Sequence, residues 1–501
     1  MRSAALCLLA IAAPACNWVF GIEDVLQVDA ALPADAVRPI ARLRWLVAVT
    51  DGQGMPTSSL EQHPIVPTPT VKIGRLGQPL MDVAIDETGT ITLPEGYESS
   101  PWRLEYQLAG DVPREIQWSM TAERTPQAIV PRFGRLERTS IPGANTVMTM
   151  TPSDGMPGSH VGPVVFTTGI WTQSVPTFGF PAGPTFNQNL NASVQLSGPP
   201  GAPDHTKGDL VVLSDYATSE SCRRSVGSAV FKLALTDGPS TTITAEPWRN
   251  SARTTTVTGP ASDVVRVGLA ASTTTSNVTT VVQVGPAASS TMPAFTQEPG
   301  AERAPRLELR GPLLLPMLDC TNAPLGAPLT YNLPPSLSTF DQMAHIQVTA
   351  DRTVPGGPNL THGLVAVRLI AANRADFDIN VAMPLSPFLL GTLDLSTTDD
   401  VPLPAGTDPL VLTFMTETTG ISDYFEVVLH RVTGTSTTPE RVYTIQQPAL
   451  TIDRGVFTMG TDYVFEIRAF RGAPDARFAD FTRYDSTQAS AVVWTRTFEA
   501  R

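Results

Sequence analysis

Proline occurs along this chain at a density that long helices cannot accommodate. The sequence holds 46 prolines and 37 glycines among 501 residues, and its proline content is close to twice the usual share of about 5 %. Proline lacks a backbone N–H and its ring clashes with the preceding helical turn, so it breaks helix interiors but suits loops. The prolines lie between short apolar runs. This pattern predicts many short β-strands joined by turns.

Alternating side chains give direct evidence for strands. Large apolar and polar residues alternate over residues 102–108, 424–430 and 463–469. Successive side chains of a strand point to opposite faces, so this period of two indicates one buried and one exposed face. On this reasoning His430 lies on a polar face and is expected to be solvated. A turn-forming cluster at residues 86–89, between two apolar pairs, predicts a hairpin.

The length of the chain predicts several domains. One hydrophobic core usually serves no more than about 250 to 300 residues. We expect an all-β fold of tandem antiparallel β-sandwich domains that follow a signal peptide and a short Pro/Ala-rich stalk. The expected segments are a signal peptide (1–15), a lipid-anchor site and stalk (16–39), a small β-sandwich (40–125), a β-sandwich with Thr-rich strands (126–300), a β-rich domain (301–405) and a final β-sandwich (406–501).

The middle of the chain contains apolar runs without a helical period. Strands are predicted at residues 210–213, 230–235, 264–269, 278–284 and 364–370. The Thr-rich stretch 272–280 fits either an exposed strand face or a flexible polar segment, and the first is favoured because Val281 continues it directly. Residues 286–305 are rich in Pro, Ala and Ser and are the best linker candidate after the stalk.

The first sixteen residues, MRSAALCLLAIAAPAC, predict export. Arg2 precedes an apolar run of ten residues, 4–13, which fits a signal-peptide core and is too short to span a bilayer. Ala13-Pro14-Ala15 is a site for ordinary signal peptidase. Cleavage there makes Cys16 the first residue of the mature chain.

The residues before Cys16, Ala-Ala-Pro-Ala, resemble the lipobox of bacterial lipoproteins, and the start Cys-Asn-Trp-Val-Phe-Gly resembles predicted lipoproteins of the myxobacterial type. The resemblance implies lipidation of Cys16 and a membrane as partner through this N-terminal anchor. Asn17 then implies the outer membrane or cell surface. The alternative is plain secretion into the periplasm or medium.

Two further cysteines form a candidate disulfide. Cys7 leaves with the leader and Cys16 is occupied if it is lipidated, so Cys222 and Cys320 remain as a pair in an oxidising compartment. The alternative is two buried free thiols.

Two segments resemble known β-sandwich families. The sequence MGTDYVFEIRA at residues 459–469 resembles the entry to strand F of a fibronectin type III domain. In that family a tyrosine at this place fastens a corner by a hydrogen bond back to the chain, a role that the resemblance gives to Tyr463. The hairpin sequence GQPLMDVAIDETGTITLPEGY, within residues 40–125, resembles transthyretin-like and carboxypeptidase-regulatory domains.

Catalytic and cofactor motifs are not found in the sequence. The six histidines show no H-E-x-x-H or i, i+4 spacing, and no P-loop, G-x-G-x-x-G or C-x-x-C occurs. We therefore expect no cofactor and no resident metal, and Asp376, Asp378 and Asn380 do not continue into a calcium-binding loop. The net charge of −13 with scattered arginines makes nucleic acid an improbable partner.

These observations predict an exported cell-envelope lipoprotein that is not an enzyme and has a binding or structural role, with a protein or polysaccharide ligand at the cell surface. The alternative is a secreted polysaccharide-acting hydrolase whose fibronectin-like module is an accessory. Such a hydrolase requires two carboxylic acids in one cleft, about 5 to 9.5 Å apart.

Overall fold

The structure is a computed structural model, and it describes part of the chain. The described residues are 40–50, 56–65, 68–94, 97, 101–108, 112–118, 127–131, 145–152, 161–168, 171–179, 192–195, 210–219, 221–231, 241–245, 251–258, 266–268, 270–271, 278–287, 317–322, 326–333, 335–338, 340–371, 373–376, 381–417, 422–476, 479–481, 485 and 487–501.

The described part of the chain is all β, with antiparallel sheets packed as sandwiches. The first strands are β1 (Ile40–Thr50), β2 (Pro56–Pro64), β3 (Thr70–Arg75), β4 (Met81–Val83), β5 (Thr90–Thr92), β6 (Trp102–Gln107), β7 (Arg114–Trp118) and β8 (Gln127–Pro131). The turn predicted at residues 86–89 forms, and an isolated antiparallel bridge joins Ile85 to Ile91, but the flanking strands pair elsewhere, β4 with β3 and β5 with β1. The turn is closed by the Asp86 carboxylate, which accepts hydrogen bonds from the Thr88 and Thr90 backbone N–H groups, both at 2.8 Å.

The middle strands follow along the chain. They are β9 (Asn145–Pro152), β10 (Val161–Thr168), β11 (Trp171–Gly179), β12 (Ala192–Gln195), β13 (Leu210–Ser219), β14 (Cys222–Phe231), β15 (Thr241–Ala245), β16 (Ser251–Thr258), β17 (Val278–Ala287), β18 (Leu318–Thr321), β19 (Pro328–Leu333), β20 (Asp341–Thr353), β21 (Asn359–Leu369) and β22 (Arg374–Asp376). A 3-10 turn spans Pro335–Leu337. The strand predicted at 264–269 is wrong, because residues 266–268 form a helical turn.

The last strands complete a two-sheet sandwich. They are β23 (Pro384–Leu390), β24 (Leu393–Asp394), β25 (Val401–Leu403), β26 (Leu410–Thr416), β27 (Tyr424–Thr433), β28 (Ser436–Ile445), β29 (Ala449–Ile452), β30 (Asp462–Arg471), β31 (Thr487–Trp494) and β32 (Phe498–Ala500). One sheet has the order β24-β23-β26-β29. The facing sheet has the order β28-β27-β30-β31.

One hydrogen-bonded sheet connects the first, middle and last groups of strands. From β31 it continues through β21, β20, β17, β18, β14, β13 and β10 to β11. On its other side β28 pairs in parallel with β7, and the sheet continues through β6 and β3 to β4. Strand pairs thus bridge the expected domain segments 40–125, 126–300, 301–405 and 406–501.

Small sheets pack on this long sheet and bury the cores. The sheet β2-β1-β5, with β8, supplies Ala41 and Leu43 to a core that contains Trp102 and Trp118 of the long sheet. A second core is continuous from the β16, β19 and β20 region into the C-terminal sandwich. Burial of apolar side chains on both sides of such interfaces is the main stabilising contribution.

Both faces of the long sheet are covered at several strands, which corrects the expectation of a half-exposed sheet. In β6 the guanidinium-bearing Arg103 is 2 % exposed although it alternates with apolar residues. Its Nη1 donates to Asp453 Oδ2 at 2.7 Å and its Nη2 to the Gln78 carbonyl at 2.7 Å. The period of two identified the strand correctly, but the polar face is buried through such pairs.

Candidate functional site

The two candidate disulfide cysteines lie directly opposite each other on neighbouring strands. Cys222 begins β14 and pairs with Cys320 of β18, with Cα atoms 4.0 Å apart. Their sulfur atoms are bonded in the structure, and Cys320 is fully buried. The bond joins positions 98 residues apart within the long sheet.

Tyr463 lies at the start of β30 and is fully buried. Its hydroxyl oxygen accepts a hydrogen bond from the Thr458 backbone N–H at 2.9 Å, five residues upstream. The ring packs edge-on against Phe457 and stacks on Phe498. This contact back to the preceding turn is the geometry that a tyrosine corner requires.

Several sequence predictions fall outside the described residues. These include the leader, Cys16, the stalk and residues 377–380 with Asp378 and Asn380. The linker candidate 286–305 is described only at its first two residues, which end β17.

His430 is buried, which contradicts its predicted solvation. It is 6 % exposed, and its Nε2 lies 3.0 Å from Glu466 Oε2. The other oxygen of Glu466 accepts hydrogen bonds from Arg468 Nε and Nη2 at 2.8 and 2.6 Å. The Trp494 ring packs on His430 at 4.8 Å between centroids. A row of buried, ion-paired side chains therefore occupies the face of the sheet that was expected to be exposed to water.

Burial and pairing act in opposite directions on the carboxylates of this row. Burial opposes ionisation of Glu466, but Arg468 and His430 outweigh it and lower the pKa of this carboxyl. Glu426 lies 3.9 Å from Arg468 and accepts no hydrogen bond at Oε2, so burial raises its pKa despite the nearby cation. Arg468 thus holds Glu466 charged more effectively than Glu426.

Two other histidines are buried without hydrogen-bond partners at either ring nitrogen. Burial lowers the pKa of His345 to about 4. Burial is also the main cause that lowers the pKa of His362 to about 3, and the positive charges of Arg352 and Arg496 add to it. Both rings are therefore neutral at neutral pH.

A cleft of about 310 Å³ is lined by Arg352 and Arg496, the two arginines whose charges act on His362. It lies where the helical turn at 266–268, the start of β23 and the end of β31 come together. Its apolar wall is formed by Met383, Phe388, Leu395 and Val493. We name this cavity the arginine cleft, because Arg266, Arg352 and Arg496 also line it.

Ion pairs fix the guanidinium groups of the arginine cleft. Arg266 holds Glu417 through two hydrogen bonds, one of them from Nε at 2.7 Å. Arg352 donates to both oxygens of Asp399, at 3.1 and 3.3 Å, and to the Thr495 carbonyl at 2.6 Å. Arg496 reaches the same Asp399 at 3.3 Å. Two cations thus share one carboxylate.

The pKa of Asp399 reflects this crowding of positive charge. Burial acts to raise it, but a hydrogen bond from the Thr497 backbone and the charges of Arg352 and Arg496 prevail and lower it. Three guanidiniums and one carboxylate, that of Glu417, belong to the cleft lining. A pair of carboxylates suited to glycoside hydrolysis is therefore not part of this lining.

The arginine cleft was missed by sequence reasoning. Its charged residues lie far apart in the chain, at 266, 352 and 496, and no short motif contains them. Arg352 stands near the end of β20 between Asp351 and Thr353, so its sequence neighbours do not distinguish it from a solvated arginine.

Within the described ranges no group of three or more His, Cys, Asp or Glu side chains is placed to hold a metal ion. No helix found in these ranges is long and apolar enough to cross a membrane.

The C-terminal region is an antiparallel β-sandwich. One of its layers is the sheet β24-β23-β26-β29, and the other is the segment β28-β27-β30-β31 of the long sheet. Neither a protein family nor a curated protein sequence matches the chain.

Two solved structures show weak similarity at 10 % identity and a TM-score of 0.11. One is Sidekick-1 immunoglobulin domains 1-5, and the match covers 92 % of this chain and 79 % of that one. The other is Escherichia coli alpha-2-macroglobulin activated by porcine elastase, where the match covers 86 % of this chain and 41 % of that one. The chain therefore spans less than half of the latter protein.

Proposed function

We propose that this chain is an exported, lipid-anchored protein of the bacterial outer membrane or cell surface, and that it has a binding or structural role. The observation that carries the proposal is the leader MRSAALCLLAIAAPAC, with one cation, a short apolar run and small residues before Cys16. Acylation of Cys16 would tether the mature chain at its N-terminus. The Pro/Ala-rich residues 28–39 would then extend from the membrane as a stalk.

The fold supports a surface role. Tandem sandwiches joined by strand pairing present loops and sheet edges without any cofactor. We propose in addition that the C-terminal sandwich is a fibronectin type III-like module with Tyr463 as its corner residue. The hydrogen bond from the Thr458 backbone N–H to the Tyr463 hydroxyl supports this proposal. For residues 40–125 we propose a transthyretin-like sandwich, supported by the turn at residues 86–89 with its bridge between Ile85 and Ile91.

Metabolic labelling with a palmitate analogue in the native host tests the anchor. The wild-type chain is expected to carry the label in the membrane fraction, and Cys16→Ala is expected to lose it. Cys7→Ala is the matched control, because Cys7 leaves with the leader and its loss should not change labelling.

Three other outcomes decide between the alternatives. A mature chain that begins at Cys16 but carries no label would replace anchoring by plain secretion. Equal labelling of the wild type and Cys16→Ala would end the lipid-anchor proposal, and Met1 retained on intracellular protein would end export itself.

A further inference from the structure

The arginine cleft combines an apolar wall with an excess of fixed positive charge. Its volume of about 310 Å³ lies in the usual range for small-molecule sites. Since one water occupies about 30 Å³ of liquid, this space holds roughly ten non-hydrogen atoms. Its occupant is therefore limited to a small organic molecule.

The charged part of the lining favours an anion. Arg266, Arg352 and Arg496 face the cleft, and the carboxylates paired with them are those of Glu417 and Asp399, which leaves one positive charge in excess. Arg352 and Arg496 are already oriented by their shared contacts to Asp399. Guanidinium groups held in this way recognise carboxylates through directed, charge-assisted hydrogen bonds.

The apolar part of the lining favours a hydrophobic body on the same molecule. Phe388 and Leu395 are buried core residues that also reach the cleft wall, and Met383 and Val493 extend this wall. A purely polar anion would leave this surface in contact with water. A neutral apolar ligand would desolvate the cleft without compensating the one positive charge that Glu417 and Asp399 leave unbalanced.

We propose that the arginine cleft binds a small monocarboxylate with an apolar body, of the size of an arylacetate or a medium-chain fatty acid. The carboxylate lies at Arg266, Arg352 and Arg496, and the body packs on Phe388 and Leu395. This site is independent of the membrane anchor, so it stands or fails separately from export.

Isothermal titration calorimetry of the full chain with phenylacetate tests the proposal, with 2-phenylethanol as the uncharged probe of the same body. Phenylacetate is expected to bind in the millimolar range or tighter, and 2-phenylethanol at least about tenfold more weakly, because one charge-assisted hydrogen bond is worth about that factor. Equal affinity of the two probes, or no heat from phenylacetate at millimolar concentration, overturns the proposal.

Variants with opposite expected effects on phenylacetate affinity distinguish lost recognition from lost folding. Arg496→Gln is expected to weaken phenylacetate binding about tenfold, whereas Arg496→Lys retains most of it. Glu417→Gln removes the lining carboxylate and is expected to strengthen binding severalfold, a gain that damage to the fold cannot produce. Arg431→Gln, at an exposed surface ion pair with Glu440, is the control and leaves binding unchanged. Weaker binding in Glu417→Gln, or equal loss in Arg431→Gln, contradicts the assignment.

Discussion

Buried titratable side chains make individual residues of this protein sensitive to acid. His345 lies in the middle of β20, is fully buried, and has no hydrogen-bond partner at either ring nitrogen. Burial lowers its pKa to about 4, against about 6.5 for an exposed histidine. The unfolded chain therefore binds a proton at His345 at a higher pH than the folded chain does.

The first prediction follows from this difference in proton binding. Because the pKa of His345 is lower in the folded than in the unfolded chain, this residue does not affect the free energy of unfolding well above pH 6.5. It lowers that free energy as the pH falls from about 6.5 towards 4. For His345 the loss at pH 4 is about 3 kcal/mol. Urea unfolding at pH 7 and pH 4 should show that the wild type loses about 3 kcal/mol more than His345→Gln, which cannot be protonated. Parallel losses in the two proteins would contradict the burial of a neutral ring.

Residue environments were the part of the structure that sequence could predict least. Alternation assigns a residue to one face of a strand, but it does not tell what covers that face. His430 was expected to be solvated for this reason, and it is instead paired with Glu466 beneath Trp494. Tyr463 differs, because a local sequence around it carries the signal of its role.

Strands were predicted well where the alternation of side chains lies within one short segment. The alternating segments became β6, β27 and β30, and the run at 364–370 lies mostly in β21. The exception is 264–269, where residues 266–268 are helical. A short apolar run has no length over which periods of two and of 3.6 can be distinguished.

At the scale of paired strands, the link between β14 and β18 gives a second prediction. Cys222 and Cys320 face each other across this pair, 98 residues apart in sequence. In the chain-entropy account, closing a loop of this length restricts the unfolded chain and stabilises the fold by about 4 to 5 kcal/mol. Cys222→Ala, Cys320→Ala is therefore expected to unfold at markedly lower urea concentration.

Peptide mapping without reduction checks the same bond chemically. A peptide that joins Cys222 to Cys320 is expected from protein isolated from the native host. Recovery of both cysteines in alkylated form, without a reducing step, would show two free thiols instead.

At the scale of the whole molecule, the pairing between distant segments defines the architecture. β31 has β30 on one side and β21 on the other, and β28 has β27 and β7. Sequence predicted tandem sandwiches but not this continuity. The pairings of β31 with β21 and of β28 with β7 join residues more than 100 positions apart, and no local pattern indicates them. The arginine cleft is a product of the same continuity, since its arginines come from separate segments.

Residue-resolved amide hydrogen exchange at β31 tests the continuous sheet most directly. In an antiparallel strand alternate N–H groups point to opposite neighbours. Residues 489–492 of β31 are paired on both sides, so their amides are all expected to exchange as slowly as those in the centre of β27. If the sandwiches are separate, the amides of 489–492 directed towards β21 will exchange rapidly, in alternation with protected ones, and the account of one connected sheet will be wrong.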